Sequence, residues 1–333
     1  MARVMFVNDT SEYYGDIKDP EEGMDDEITI SHILRYRNSF TRYGLPFGSI
    51  LAKNLMERDL LKEGARVLEV GPGLGDLAEQ FFEEASPKEY VFIDVSPKII
   101  DFLKARFRGK AYGFILGNFL ENDIHKKFDL IICNEVLSDL PTIVNFSPAI
   151  AKKRGVYKDA LRMIKKYNLK IKEMFNFNYG AIRFLEICNK ILDKGGVSFI
   201  SEQSAECRGG SGWPERIRVS GHNEYTIKMS WIEHVAKKLM FAVESGTLTE
   251  FLGIRKKKFV SFFTQPELRN LYESLKSKGV LPDQRAWTVD EFFKSNRKFI
   301  SVNDPRKYME FLEKNSTLLT DITDKFSYLV LKK

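Results

Sequence analysis

The chain has 333 residues, of which 43% are hydrophobic and 29% are charged, and its formal net charge is +6. This length allows a sizeable core, either in one large domain or in two smaller ones. The mild basic excess is compatible with an acidic partner but does not require one. No stretch approaches about 18 uninterrupted apolar residues, so no membrane span is predicted.

The three cysteines are far apart in the sequence, at Cys133, Cys188 and Cys207. Their odd number and wide spacing predict neither a disulfide framework nor a zinc site. We therefore expect reduced thiols, a cytoplasmic location and no bound metal.

The N-terminal region changes character within a few tens of residues. Residues 8–29 are polar and acidic around Pro20 and Gly23, which predicts a loop or a mobile arm rather than a packed element. Residues 28–43 are basic and aromatic, typical of either a lid over a site or a solvated helix face, and we favour the solvated face slightly. Residues 1–45 are therefore assigned to an N-terminal arm or lid.

The central feature of the sequence is VLEVGPGLGD, residues 67–76. It predicts a short apolar strand, a tight turn and a helix that begins near Asp76. Glycine accepts positive φ and lets a ligand approach the backbone, and the first amides of the helix then face that ligand. The glycines of the turn are Gly71, Gly73 and Gly75. A dinucleotide fingerprint would require glycine in place of Asp76, so a nicotinamide cofactor is disfavoured.

Two further strands are predicted at Tyr90–Asp94 and Tyr112–Leu116. The carboxyl end of the first would bring Asp94 beside the glycine turn, where its two oxygens can accept the hydroxyls of a ribose. The alternative role for Asp94 is to cap the next helix, for which Ser96 is the better candidate. Asn118 and Phe119 follow the other strand, at a position that suits contacts with an adenine.

The almost continuously apolar segment Phe128–Cys133 predicts a strand that is covered on both faces. It delivers Asn134, Glu135 and Asp139 to the same carboxyl edge, where side chains face a bound ligand. We favour a functional role for Glu135 over the alternative of a helix cap or turn residue.

The second half of the chain continues the alternation. A basic helical stretch, Ala151–Glu173, predicts an insertion over about 142–180, for which a solvated face is narrowly favoured over binding of nucleic acid or an acidic protein. A helix at Ala181–Leu192, ended by Lys194, Gly195 and Gly196, precedes a fifth strand at Val197–Ile200. Strands alternating with helices over residues 65–200 predict a parallel sheet.

The remaining segments are predicted to complete one main domain. A loop over Ser201–Ser220 leads to the polar and aromatic segment GHNEYTIKMSW, in which a structural role and substrate contact are equally favoured for His222 and Glu224. Helices are predicted within an extension over about 264–316, and Ser327–Leu331 reads as a last strand.

Several of these segments resemble one family. The motif around the glycine turn, with an acidic residue before it and the carboxylate after the second strand, resembles class I S-adenosylmethionine-dependent methyltransferases. Within that group the chain resembles the MidA-like family, which includes the mitochondrial complex I assembly methyltransferase that modifies a protein arginine. The resembling segments are residues 40–55, 69–78 and 134–141, with weaker similarity at 221–231 and 246–254.

The resemblance implies a Rossmann-like α/β sheet with helices on both faces, an N-terminal arm and inserted helices, the methyltransferase domain covering residues 46–333. It implies S-adenosylmethionine as the cofactor, with Glu69 serving its cationic methionine end, and a protein substrate with arginine as the suspected acceptor. The residues expected to hold the cofactor are Glu69, Gly71, Gly73, Gly75, Asp94, Asn118, Phe119 and Asn134. Glu135 is the expected catalytic carboxylate, assisted by Asp139 or Glu224.

The chain departs from the MidA-like pattern at two places. The aspartate of the family's strand-four motif falls on Ser138, with Asp139 one position later. Lys228 and Ser230 replace a histidine and an aspartate of a second motif. These departures affect the choice of acceptor more than the choice of cofactor.

Two alternatives remain open. The first alternative is an RNA methyltransferase, because GPGLG after a glutamate also resembles the rRNA adenine dimethyltransferases and the basic insertion would suit RNA. Against it, residues 134–137 are Asn-Glu-Val-Leu and lack the proline and the aromatic residue that those enzymes use to hold a base. A non-catalytic assembly factor that keeps the fold is the other alternative. The intact glycine turn and both carboxylates argue against it.

Overall fold

The computed structural model describes residues 4–20, 29–109, 112–151, 155–219, 221–300 and 304–333. Its strands are β1 Phe6–Asn8, β2 Arg66–Val70, β3 Glu89–Asp94, β4 Tyr112–Leu116, β5 Phe128–Asn134, β6 Thr142–Phe146, β7 Phe175–Phe177, β8 Leu192–Gln203, β9 Arg216–Arg218, β10 Asn223–Tyr225, β11 Ala242–Thr247, β12 Lys258–Phe259, β13 Thr317–Leu318 and β14 Phe326–Lys332. Its helices are α1 Ser11–Gly15, α2 Ile30–Ile33, α3 Phe47–Glu57, α4 Asp76–Phe81, α5 Pro97–Arg106, α6 Gly155–Tyr167, α7 Tyr179–Ile191, α8 Met229–Lys238, α9 Leu248–Leu252, α10 Pro266–Lys276, α11 Val289–Asn296, α12 Pro305–Lys314 and α13 Thr320–Thr323.

The main sheet has seven strands in the order β11-β14-β8-β5-β2-β3-β4. The five strands from β8 to β4 are parallel, as the alternation of strands and helices predicts. At the other edge β14 pairs antiparallel with β8, and β11 pairs antiparallel with β14. The predicted Rossmann-like α/β sheet is confirmed, and the antiparallel edge pair is a feature that the alternation alone did not predict.

Helices cover both faces of this sheet. Successive strand residues point to opposite faces, so Val67 packs with residues of α3, α4 and α5, while Leu68 packs with residues of α7 and α8. The strands of the centre are buried on both sides, as expected of their nearly continuous apolar sequences. A third cluster of apolar side chains lies among α10, α11 and α12.

Three helices begin at the capping residues that the sequence predicts. Ser96 caps α5 through its side chain, with Pro97 at the first helical position. Thr288 and Glu291 form a capping box at α11, and the Asp304 side chain accepts hydrogen bonds at the start of α12.

The predictions for the arm and the insertion need correction. Strand β1, from the predicted arm, pairs with β6, and β6 pairs with β7, so the predicted helical insertion contributes two strands beside α6. Strands β6 and β7 are too short to show an alternation of apolar and polar residues in the sequence, yet their side chains Phe146, Phe175 and Phe177 are buried. Part of the predicted mobile arm is therefore packed. Residues 21–28 of that arm, and residues 152–154 of the basic stretch, lie outside the described residues.

Strand β8 is longer than predicted at both ends. Helix α7 ends at Ile191, and the segment expected to end the helix already belongs to the strand. The reason is its pairing with the C-terminal residues: the amide of Gly195 donates to the carbonyl of Lys333, and the amide of Lys333 donates to Gly196. At the other end the strand continues to Gln203, where a loop was predicted, and this places Glu202 at the carboxyl edge of the sheet. None of the helices within the described ranges has the length and apolar character that crossing a membrane requires.

Candidate active site

A cavity of about 450 Å³ opens at the carboxyl edge of the parallel strands. Its walls come from the segments that follow β2, β3, β4 and β5, as expected for a ligand site in a doubly wound sheet. Three segments from outside the sheet complete it. These are residues 9–14 and 29–36 of the N-terminal region and residues 281–284 near the C-terminus.

The glycine turn approaches its neighbours too closely for any side chain. Gly71, Gly73 and Gly75 have φ of 63°, 52° and 82°, in the left-handed region. A Cβ on Gly71 would lie 2.5 Å from Val136, and a Cβ on Gly75 would lie 2.7 Å from Leu103. The turn is therefore packed against the segment after β5 and against α5, while its open side lines the cavity.

Glu69 lies buried at the end of β2 and on the cavity wall. Burial raises its pKa to about 8, although the hydroxyl of Tyr90 donates a hydrogen bond of 2.8 Å to Oε2, which favours the charged form. The side chain is therefore largely protonated at neutral pH. A cation placed beside it would favour its carboxylate.

An unpredicted network lies across the glycine turn. Nδ1 of His32, from α2, lies 3.2 Å from Oδ2 of Asp76, and the guanidinium of Arg106 lies 2.9 Å from Oδ1. Burial alone would raise the pKa of Asp76, but the hydrogen bond to His32 and the charge of Arg106 bring it down to about 2. The sequence showed Asp76 only as a helix start, and His32 lies 44 residues away along the chain.

Asp94 lies where the sequence predicts, at the carboxyl end of β3 and on the cavity wall. Burial raises its pKa to about 6 in spite of a 2.8 Å hydrogen bond from the amide of Ser96. Because Ser96 caps α5, Asp94 is not needed as the helix cap. Its ribose role stays a prediction.

Asn118 and Phe119 both line the cavity after β4. The side chain of Asn118 accepts a hydrogen bond from the amide of Leu120 and so fixes the turn. Phe119 is almost fully buried, with its ring centroid 5.0 Å from that of Phe184. Much of Phe119 therefore belongs to the core, and the proposed adenine contact involves only a small part of its surface.

Glu135 has φ of 55°, an unusual backbone conformation for a residue with a side chain, and it lines the cavity. Its Oε1 accepts hydrogen bonds from the amide of Ile30 at 2.9 Å and from the side chain of Asn134 at 3.2 Å. The carbonyl oxygen of the Asn134 amide accepts from the Ser201 hydroxyl at 2.6 Å, which sets the orientation of that amide. Burial, followed by the charge of Glu202, raises the pKa of Glu135 to about 8.

Glu202 is a buried carboxyl group that the sequence reasoning missed because it was assigned to a loop. Its Oε2 accepts a 3.0 Å hydrogen bond from the amide of Ser138, and Oε1 accepts from the amide of Gln203. Burial raises its pKa to about 7. The charge of the buried Glu202 thus raises the pKa of Glu135, which is itself only partly buried.

Asp139 and Glu224, the two other predicted catalytic carboxylates, lie on either side of His222. Nε2 of His222 is 3.2 Å from Glu224 Oε1 and 3.8 Å from Asp139 Oδ1. Asp139 lines the cavity and is held by the hydroxyl of Thr10, from the segment before α1. Glu224 is not among the described residues that line the cavity.

The segment Ile28–Tyr43 contributes to the cavity wall through Ser31, His32, Arg35 and Tyr36. Among its described residues, Ile33, Leu34 and Phe40 are buried, although Tyr36 and Tyr43 are exposed. Only Ile30–Ile33 is helical, and that helix is mostly buried, so the solvated helix face that the sequence favoured is wrong. The Arg35 guanidinium forms a 3.0 Å ion pair with Asp283, which joins this segment to the C-terminal wall. That wall lies 248 residues further along the chain, and nothing in the local sequence signals the contact.

Comparisons with known proteins agree with this geometry. Residues 68–164 match the model of a methyltransferase domain family. The dimethyladenosine transferase of Saccharomyces cerevisiae is 30% identical over 112 residues, which cover 32% of this chain and 34% of that protein. A probable dimethyladenosine transferase of Dictyostelium discoideum is 28% identical over 130 residues, covering 36% of this chain and 40% of that protein. The chain thus spans only about a third to two fifths of these curated relatives.

Among solved structures, the [4+2]-cyclase SpnF has the same fold, with a TM-score of 0.51 and 14% identity over 100% of this chain and 99% of that one. The family match, the sheet order and the glycine turn define a class I methyltransferase domain. The cavity fits the cofactor of that class, because a buried acidic group at the turn suits its cationic end and a second carboxylate suits its ribose. The chain therefore carries an S-adenosylmethionine-dependent methyltransferase domain.

Proposed function

We propose that the protein transfers the methyl group of S-adenosylmethionine to a protein side chain, and that the acceptor is the guanidinium of an arginine. The observation that carries this proposal is that the carboxyl groups of Glu135 and Asp139 both line the cofactor cavity, while the charge of the buried Glu202 raises the pKa of Glu135. Such a group of acids suits a cationic acceptor. The MidA-like resemblance of residues 134–141 supports the same acceptor.

The cofactor is proposed to be held by the predicted residues Glu69, Gly71, Gly73, Gly75, Asp94, Asn118, Phe119 and Asn134. All of these except Gly75 line the cavity among the described residues. When bound, S-adenosylmethionine supplies an electrophilic methyl carbon, so the chain itself must chiefly align the nucleophile and exclude water. The segments at residues 29–36 and 281–284 give the cavity walls that serve this exclusion.

Glu135 is the proposed catalytic carboxylate. A guanidinium is protonated near neutrality, so it needs a group that orients it and takes up its proton. With a pKa of about 8, Glu135 is mostly neutral in the free protein at pH 7. The approach of a cation favours the carboxylate, which can then accept hydrogen bonds and later the proton. Asp139 assists from the cavity wall, and Glu224 assists through His222.

The test is transfer of labelled methyl groups into a cell extract by the full chain, with the product divided by protease and nuclease before identification. We expect the label in protease-sensitive material, on arginine. Glu135→Gln should lower transfer by about 100-fold or more, the usual contribution of a general base, with unchanged cofactor binding. Glu63→Gln, at an exposed position away from the cavity, is the matched control. Full transfer by Glu135→Gln with normal cofactor binding would exclude this role.

An RNA base is the second candidate acceptor, because the curated relatives are dimethyladenosine transferases. Helix α6 also presents exposed basic side chains, including Lys158, Arg162 and Lys165. This reading predicts label in nuclease-sensitive material and an RNA affinity that falls steeply with salt. Reversing the charges of these three residues should then abolish that affinity.

A non-catalytic assembly role is the remaining alternative. It predicts that titration calorimetry detects no binding of S-adenosylmethionine to the full chain. A cytoplasmic location also remains a proposal, resting on the dispersed cysteines.

A further inference from the structure

Three side chains from separate parts of the chain converge beside the cavity. Asp139 follows β5. His222 directly precedes β10 and Glu224 lies in that strand, 83 and 85 residues after Asp139 in the sequence. Their ligand atoms, one imidazole nitrogen and two carboxylate oxygens, all lie within 4.8 Å of one another. The Tyr14 hydroxyl of α1 is also 3.2 Å from Nε2 of His222.

These side chains are held in place from several directions. His222 is 5% exposed, Asp139 16% and Glu224 17%. The ring of Tyr13 packs over the imidazole at a centroid distance of 4.3 Å, and the Thr10 hydroxyl donates to Asp139. The arrangement is therefore a built cluster and not a chance meeting of mobile surface acids.

Two carboxylate groups approach the same imidazole nitrogen in this cluster. Nε2 of an imidazole carries at most one proton and can donate it to a single acceptor. Two carboxylate oxygens nevertheless face that nitrogen, at 3.2 and 3.8 Å. One positive ion among the three atoms can interact with all of them at once.

We propose that Asp139, His222 and Glu224 form a binding site for a divalent transition metal ion of the Zn²⁺ or Mn²⁺ class. Imidazole nitrogen together with carboxylate oxygen is a donor set for such ions. With metal–ligand bonds of about 2.1 Å, tetrahedral ligands lie about 3.4 Å apart. The observed separations from His222 bracket that value, so an ion fits with small side-chain movements.

The position of the site gives the ion a specific consequence. Three protein ligands leave a fourth coordination position, which water or a ligand oxygen can occupy. Because Asp139 also lines the cavity, a bound ion would tie the segment after β5 to the β9–β10 hairpin at the edge of the acceptor region. The ion would use Asp139 and Glu224, which also assist in the proposed methyl transfer, and would leave Glu135 on the cavity wall for a cationic acceptor. Binding of the ion can be measured without methyl transfer, so the two proposals are tested separately.

The experiment is a calorimetric titration of Zn²⁺ into the 333-residue chain after treatment with a chelator. We expect saturable binding of one ion per chain and a Zn²⁺-dependent rise in Tm, because a ligand that binds only the folded state stabilises it. His222→Gln and Glu224→Gln should each weaken binding by about tenfold or more, since the loss of even an outer-shell partner has effects of that size.

The matched control is His125→Gln. His125 is exposed and also lies 3.2 Å from a carboxylate, that of Asp123, but without a third ligand. If His125→Gln loses Zn²⁺ binding while Glu224→Gln retains it, the binding is adventitious and at the surface. Absence of saturable Zn²⁺ binding in the natural protein would also overturn the proposal. Circular dichroism and Tm of each variant without metal show whether it folds. Methyl transfer is measured separately, so failure of the proposed function leaves the outcome for the metal site distinguishable.

Discussion

The affinity for S-adenosylmethionine should fall as the pH is lowered below about 8, because the buried carboxyl group of Glu69, the proposed partner of the cofactor's cation, must ionise for that contact. Burial, the larger effect, raises the pKa of Glu69 from 4.5 to about 8, although the Tyr90 hydrogen bond favours its charged form. In the free protein the group is therefore mostly protonated at pH 7. Cofactor binding is expected to release that proton.

The magnitude follows from the pKa. Each unit of pH below 8 adds about 1.4 kcal/mol to the cost of ionising Glu69, which is about a tenfold loss of affinity per unit. Above pH 8 the dependence should level off. The free energy of unfolding of the free protein should change with pH in the opposite direction to the cofactor affinity. Protonated Glu69 stabilises the fold at low pH, and this contribution is lost as the pH rises from about 4.5 to 8. The cofactor should thus raise Tm most at the alkaline end of this range.

The assay is titration calorimetry across this pH range, in pairs of buffers with different ionisation enthalpies, so that released protons are counted directly. Glu69→Gln keeps an acceptor for the Tyr90 hydroxyl but cannot titrate, so its affinity should be weak and nearly independent of pH. Glu63→Gln, exposed and distant, should retain the natural slope. An affinity of the natural protein that is flat between pH 6 and 8, or a slope that persists in Glu69→Gln, would refute the reasoning.

Two further predictions concern the walls of the cavity. Gly71→Ala should destabilise the protein and abolish cofactor binding, because its new Cβ would lie 2.5 Å from Val136 and the residue would also keep a strained positive φ. The control is Gly64→Ala, which has a φ of 68° and no atom within 4 Å, and which should show only the backbone strain of about 1–2 kcal/mol. Equal changes in Tm for the two variants would contradict the packing argument. Arg35→Ala should lower the free energy of unfolding by at most about 1 kcal/mol, because its ion pair with Asp283 is partly exposed. The same change should raise KM for the acceptor, because it loosens the contact between two cavity walls. An unchanged KM in steady-state kinetics would show that the ion pair is only structural.

The sheet and the part of the site that follows its strands were predictable because both depend on local patterns. Apolar runs fix the strands, and parallel strands bring their carboxyl ends to one edge. The positions of Glu69, Asp94 and Glu135 on the cavity wall follow from this rule without knowledge of any long-range contact. Their chemical roles remain predictions.

The unpredicted part of the site depends on contacts that have no local signature. His32 reaches Asp76 only because α2 packs against α4, and Glu202 reaches the edge only because β8 continues past its predicted end. His222 stood alone in the sequence, without a ligand partner at zinc spacing, yet the fold places Asp139 beside it. The short strands β1, β6 and β7 were missed for the same reason, since their pairing and not their sequence pattern defines them.

The charges of the cavity favour a cationic acceptor over a nucleic acid. The described lining residues include one guanidinium, that of Arg35, against seven carboxyl groups: Asp9, Glu69, Asp76, Asp94, Glu135, Asp139 and Asp283. Glu69 lies in β2, Glu135 follows the neighbouring strand β5, and burial holds the pKa of each near 8. A nearby cation favours the carboxylate form of each. The proposed cations are the cofactor at Glu69 and the acceptor at Glu135. A phosphate near this wall would instead keep both protonated, so a nucleic acid acceptor would leave Glu135 without the charge that its proposed role as a base requires.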